Sequence, residues 1–137
     1  MNKRMGPLTV TCQIENQRDR TRWVRVPDVS IDTDSELTWI SREHLVAIGV
    51  EPEKRDRRLA LANAQEVTRS IGFGVIRVGE DVTTDELIIA EPGDLQVLGA
   101  RTLRGLGLRV DSTTARLVAA EPFLVAEVSD DGAIDEN

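Results

Sequence analysis

Short stretches of alternating apolar and polar residues, broken by turn-forming clusters, run along most of this chain and predict a mostly antiparallel β domain with two short helices. Val10, Cys12 and Ile14 alternate with polar neighbours, predicting a half-buried first strand that the polar run Asn16 to Arg20 turns. A second strand follows at Trp23 to Val26. Pro27 restricts it to an edge or an end, and Val29 to Ile31 then leads directly into Asp32-Thr33-Asp34-Ser35. After an apolar stretch from Leu37 to Ile40, Ser41 as N-cap, Glu43 in the first turn, Leu45 and Ile48 on one face and Gly49 beyond them predict a two-turn helix. Arg57 to Leu61, the small polar tip Ala62-Asn63-Ala64-Gln65 and the return from Glu66 predict a long hairpin. Gly72 and Gly74 mark a bulge or a close approach of backbone or ligand. Strands are expected at Val75 to Val78 and Glu86 to Ala90, and a helix over Ala100 to Leu106 with Leu103 and Leu106 on one face and Gly107 as cap. Arg116 to Ala119 and Phe123 to Val128 are the last strand candidates.

With 137 residues, the pattern suits one domain over residues 8–128, preceded by a lead of residues 1–7 and followed by an acidic, solvated tail over residues 129–137. Only four aromatics are present, Trp23, Trp39, Phe73 and Phe123, so the core must be built from Val, Leu, Ile and Ala. No apolar run approaches the roughly 20 residues of a membrane span, and the expected location is cytoplasmic, with no membrane partner. The net charge of −7 argues against a nucleic-acid partner. Four of those excess charges, Asp130, Asp131, Asp135 and Glu136, lie in the tail, which leaves −3 on the remainder. One cysteine and one histidine exclude an internal disulfide and make a His-rich zinc site or a Ser-His-Asp triad poor candidates. Cys12 is expected to be buried and inert, and His44 to face solvent.

Two motifs stand in order. Val29-Ser-Ile-Asp-Thr-Asp-Ser-Glu-Leu-Thr-Trp-Ile40 is an apolar strand ending in Asp-Thr-x-Ser, and Val97-Leu-Gly-Ala-Arg-Thr-Leu-Arg-Gly-Leu-Gly-Leu108 is an apolar pair and Gly before a helix. Together with the intervening hairpin they make the chain resemble the retropepsin-like aspartic proteases over roughly residues 8 to 119. The resemblance implies a retropepsin-like closed β-barrel, the acid-protease fold, acting as a homodimeric aspartic endopeptidase on a peptide or protein substrate. Asp32 would be the catalytic carboxylate, Thr33 the brace across the dimer axis, Asp34 and Ser35 the rest of the loop, and Ala62, Asn63, Ala64 and Gln65 the flap over substrate. The terminal strands, around Leu8 to Ile14 and Phe123 to Val128, would be the dimer contacts. Taken alone, Asp32 also fits a turn residue capping its own backbone.

Such an enzyme needs neither metal nor cofactor, and none is expected. One carboxylate takes a proton from water while a neighbouring carboxylic acid polarises the scissile carbonyl, and two carboxyls about 3 Å apart share one proton. This chain has one Asp-Thr element, so two copies would have to meet on a twofold axis. Asp28, Asp32, Asp34 and Glu36 offer hard oxygens, but their spacing lacks the regular ligands and Gly of a Ca²⁺ loop.

Two positions depart from the family pattern. Asp34 replaces the Gly whose backbone N–H reaches the catalytic carboxylate, and although Asp tolerates a left-handed backbone, its charge would crowd the axis. Either the working pH moves upward or the geometry is lost, in which case the chain is a catalytically silent dimer serving as a peptide-binding or structural module. The hairpin tip lacks Gly, which implies a different turn or a stiffer flap. Ala100 follows Gly99 where the family often has Arg, leaving Arg101 or Arg104 to reach Glu36.

Overall fold

The structure is a computed structural model and describes residues 8–128 together with the backbone of Ile134–Asp135. The lead over residues 1–7 and the acidic tail, apart from that two-residue strand, lie outside the described residues. Within them the chain is mainly β: β1 (Thr9–Glu15), β2 (Trp23–Ile31), β3 (Thr38–Ser41), α1 (Arg42–Ala47), β4 (Lys54–Ala60), β5 (Glu66–Val78), β6 (Asp81–Ala90), β7 (Val97–Leu98), α2 (Ala100–Leu106), β8 (Leu108–Asp111), β9 (Arg116–Ala119), β10 (Glu127–Val128) and β11 (Ile134–Asp135).

Seven strands form one sheet in the order β1-β2-β7-β3-β6-β5-β4, and a further β1–β5 pairing closes six of them into a ring with β4 attached outside it. Closure is made by Gln13, Ile14 and Glu15 against Arg77, Ile76 and Val75. Strand alternation sends Cys12, Ile14, Val26, Val29, Ile40, Ile76, Leu87 and Leu98 into the interior, and α1 and α2 add Leu45, Leu103 and Leu106. All of these are aliphatic or sulfur side chains, as the scarcity of aromatics requires. Cys12 is fully buried, and burial pushes its thiol up to about 12, far from a reactive thiolate. Glu15 is buried at the closure, where Arg20 and Arg77 both donate to its carboxylate.

Several local expectations change. Pro27 neither ends a strand nor marks an edge, because Trp23–Ile31 is one strand. Cys12 pairs with Val26 and Val10 with Val29, so Pro27 and Asp28 together oppose Thr11 in a bulge, and Asp28 takes φ 58 there. A bulge leaves the missing proline N–H without a ladder partner to satisfy. Gly72 and Gly74 sit in regular register with Leu87 and Asp85 instead of in a bulge. Close approach is what they serve: a Cβ on Gly72 would meet Glu51 O at 2.9 Å, and one on Gly74 would meet Leu87 Cδ1 at 2.8 Å. The sheet is also more mixed than expected, since β2–β7 and β3–β6 are parallel.

Ser41 caps α1 as predicted, accepting from the His44 N–H. His44 itself does not face solvent. Half-buried, its Nδ1 lies 2.8 Å from Ser41 Oγ and 3.2 Å from Gln96 Oε1. Beyond α2, the β8–β9 hairpin is formed by Leu108–Asp111, which the sequence pattern did not reveal, against the expected Arg116–Ala119. The strand anticipated over Phe123 to Val128 reduces to Glu127–Val128 paired with Ile134–Asp135. Phe123, Leu124 and Val125 are exposed.

Candidate functional site

β7 lies between β2 and β3 in the sheet, so the chain joining β2 to β3 must cross the end of β7. Asp32 to Leu37 make that crossing. Their backbone is pinned to the turn before α2 by Asp32 N–H to Leu98 O (3.1 Å), Ala100 N–H to Ser35 O (2.7 Å) and Arg101 N–H to Glu36 O (3.1 Å). Ser35 Oγ also donates to Leu37 O at 2.8 Å. The contact leaves no room for a side chain at position 99, where a Cβ would run into Leu37 O and stand 2.8 Å from Ser35 O. Gly99 is thus required by proximity. Its φ of −91° would suit any residue.

Within the loop, the Asp34 N–H donates to Asp32 Oδ1 at 3.0 Å, and the Ser35 N–H to Asp32 O at 3.1 Å. The backbone bond expected from a glycine is therefore made with Asp in its place. Among the described residues the non-glycine positions with positive φ are Asp28, Asp56, Ala64 and Ala115. Asp34 thus makes this bond from an ordinary backbone conformation, without the left-handed geometry anticipated. Asp32, Thr33 and Asp34 are all exposed in the single chain.

A cleft of about 400 Å³ opens beside the loop, a size that suits several side chains of a peptide. Asp32, Asp34, Ser35 and Glu36 line it from the loop, Leu37, Trp39 and Ile88 from the sheet, and Leu59 to Ala62 from the hairpin above. The structure thus brings Ala62 to the Asp32 cleft. Asn63, Ala64 and Gln65 form the hairpin tip outside that lining. There Asn63 Oδ1 accepts from the Gln65 N–H at 3.0 Å, and Ala64 takes φ 70. The tip therefore keeps a left-handed residue without a glycine to hold it, at a cost of roughly 1 to 2 kcal/mol.

The apolar lining escaped the sequence motifs. Its one available signal was the alternation of Leu59 and Leu61 with polar or small residues on the hairpin arm. Glu36 pairs with Arg104 at 3.2 Å in an exposed contact, whereas Arg101 turns to Asp85 and Glu86. The arm β5 is fastened below the tip by Arg69, which grips both Asp94 oxygens at 2.7 and 2.8 Å and holds that carboxyl below its ordinary range. Among the described residues, no three His, Cys, Asp or Glu side chains are arranged to hold a metal ion, and no helix is long and apolar enough to cross a membrane.

No protein-family model matches the chain, and no curated protein matches it. Among solved structures it is similar to a retroviral protease, EIAV protease complexed with the inhibitor HBY-793, at 14% identity and a TM-score of 0.54, over 86% of this chain and 98% of that one. The mainly β ring with its two short helices is the fold of a retroviral protease.

Proposed function

We propose that this chain is a retropepsin-like aspartic endopeptidase that works as a homodimer. The observation that carries this reading is the Asp32 loop: an Asp-Thr-x-Ser turn crossing β7, locked to the Gly99 turn, with a backbone N–H on the Asp32 carboxylate, opening on a cleft beneath a hairpin. Each chain supplies one such carboxylate. Two copies facing each other across a twofold axis make a pair, in which one Asp32 takes a proton from water and the other, protonated, polarises the scissile carbonyl. Attack of the water oxygen gives a tetrahedral intermediate, which collapses as the amine leaves with a proton. Leu37, Trp39, Leu59, Leu61 and Ile88 receive apolar substrate side chains, and the peptide lies extended beneath the flap. Phe123, Leu124 and Val125, exposed in the single chain, supply the dimer contact.

A second reading has its own observation in Asp34, an exposed carboxylate two residues from Asp32 where the family has Gly. In that case the dimer binds peptide without cleaving it. Turnover of a denatured protein from about pH 3 to 7, abolished by Asp32→Ala and by a statine inhibitor, supports the enzyme. A stable dimer with no turnover anywhere in that range overturns it, and a gain of activity in Asp34→Gly identifies Asp34 as the suppressor.

A further inference from the structure

A chain of buried polar groups runs from Asp85 on β6 through Thr102 of α2 to the turn that holds the Asp32 loop. The Gly99 N–H donates to Thr38 Oγ1 at 2.9 Å, Thr38 Oγ1 lies 2.6 Å from Thr102 Oγ1, and Thr102 Oγ1 lies 2.9 Å from Asp85 Oδ2. Both threonines are wholly buried and the Asp85 side chain is 8% exposed. Hydroxyls buried in an aliphatic core cost stability unless bonded, so their placement here calls for a reason.

The direction of the chain follows from its end. An ionised carboxylate has no proton to give, so Thr102 must donate to Asp85. Its single hydroxyl proton is then used, and Thr38 must donate to Thr102. Thr38 is left with its lone pairs toward the Gly99 N–H. The other Asp85 oxygen accepts from Arg101 Nη2 at 2.8 Å and from the Glu86 N–H at 2.7 Å, so the carboxylate is held from both sides. Each donor is fixed by the acceptor beyond it, and the last group fixed is the turn whose Leu98 carbonyl receives the Asp32 N–H.

We propose that Asp85 is a positioning residue for Asp32, acting through Thr102 and Thr38 on the Leu98–Gly99 turn. Its part in catalysis rests on the peptidase reading above; its part in placing the loop does not. Asp85→Asn keeps the shape but offers one acceptor oxygen for donors on two sides, and Thr102→Val cuts the same link from the other end. Thr102→Ser keeps the hydroxyl.

Amide hydrogen exchange reads the outcome. In Asp85→Asn and Thr102→Val, protection at Gly99 and Asp32 should fall about tenfold or more while Ile14 and Ile76 stay as in the wild type, and Thr102→Ser should retain protection at all four. Peptide turnover should fall about ten- to a hundredfold in kcat with KM within about twofold. Wild-type protection at Gly99 and Asp32 in either folded variant, or a loss spread equally over Ile14 and Ile76, overturns the proposal. Because the two variants break one link from opposite ends, whichever folds is sufficient. A wild type that turns over no peptide defeats the peptidase reading, and the exchange measurements still decide the positioning.

Discussion

Gly99 and Ala64 are opposite cases of a small residue in a demanding place. At Gly99 the demand is space, because the backbone of Ser35 and Leu37 occupies the volume a methyl group would need. Gly99→Ala should cost about 1 to 3 kcal/mol in thermal or denaturant unfolding and should loosen the Asp32 loop. At Ala64 the demand is conformational, with φ 70 at an exposed hairpin tip. Glycine removes the left-handed penalty but loses more entropy on folding, so Ala64→Gly should stabilise only slightly, by about 0.5 kcal/mol, while raising exchange rates at the tip. A clear loss of melting temperature would show that the tip does not carry this strain. Asp34 belongs to neither class, since its backbone is unstrained and what it changes is charge.

Two ion pairs hold elements that would otherwise separate. Glu15 sits where β1 meets β5 to close the ring, and although burial raises its carboxyl, the hydrogen bonds from Arg20, Arg77 and Gln13 outweigh that and hold it below its ordinary range. Glu15→Ala removes the buried carboxylate that Arg20 and Arg77 share while both arginines still reach solvent, and should cost about 1 to 3 kcal/mol, measured by urea unfolding. Arg69 and Asp94 fasten the hairpin arm to the Glu91–Asp94 turn. The hydrogen bond from Arg69 holds the Asp94 carboxyl low, so its contribution is complete above the usual aspartate value of about 4 and disappears as pH falls through the lower folded value. The protein should therefore lose stability below about pH 4, and Arg69→Gln should flatten that part of the pH profile. An unchanged slope in that variant would assign acid sensitivity to other carboxylates.

The single chain presents an exposed Asp32 at its cleft and an exposed apolar segment at Phe123 to Val125. On the dimeric reading proposed above, that apolar segment is what a second copy covers. Leu124→Ser with Val125→Ser should convert the dimer to monomer in sedimentation velocity and abolish turnover, with little change in the fold by circular dichroism. Dimerisation that survives both substitutions would move the interface elsewhere.

Much of this architecture is written locally. Alternation at Val10, Cys12 and Ile14 assigns a face, Ser41 starts α1, and the order of the Asp32 and Gly99 motifs marks where a loop and a helix turn come together. Each motif is itself built from residues near one another in the chain. Period-two alternation, however, says which side of a strand is buried and nothing about which strand lies beside it. Ring closure by β1–β5, the insertion of β7 between β2 and β3, and the bulge that absorbs Pro27 were decided by long-range pairing. So were the cleft lining from Leu37 to Ile88 and the Asp85–Thr102–Thr38 chain, whose members are ordinary polar residues until folding removes water from around them.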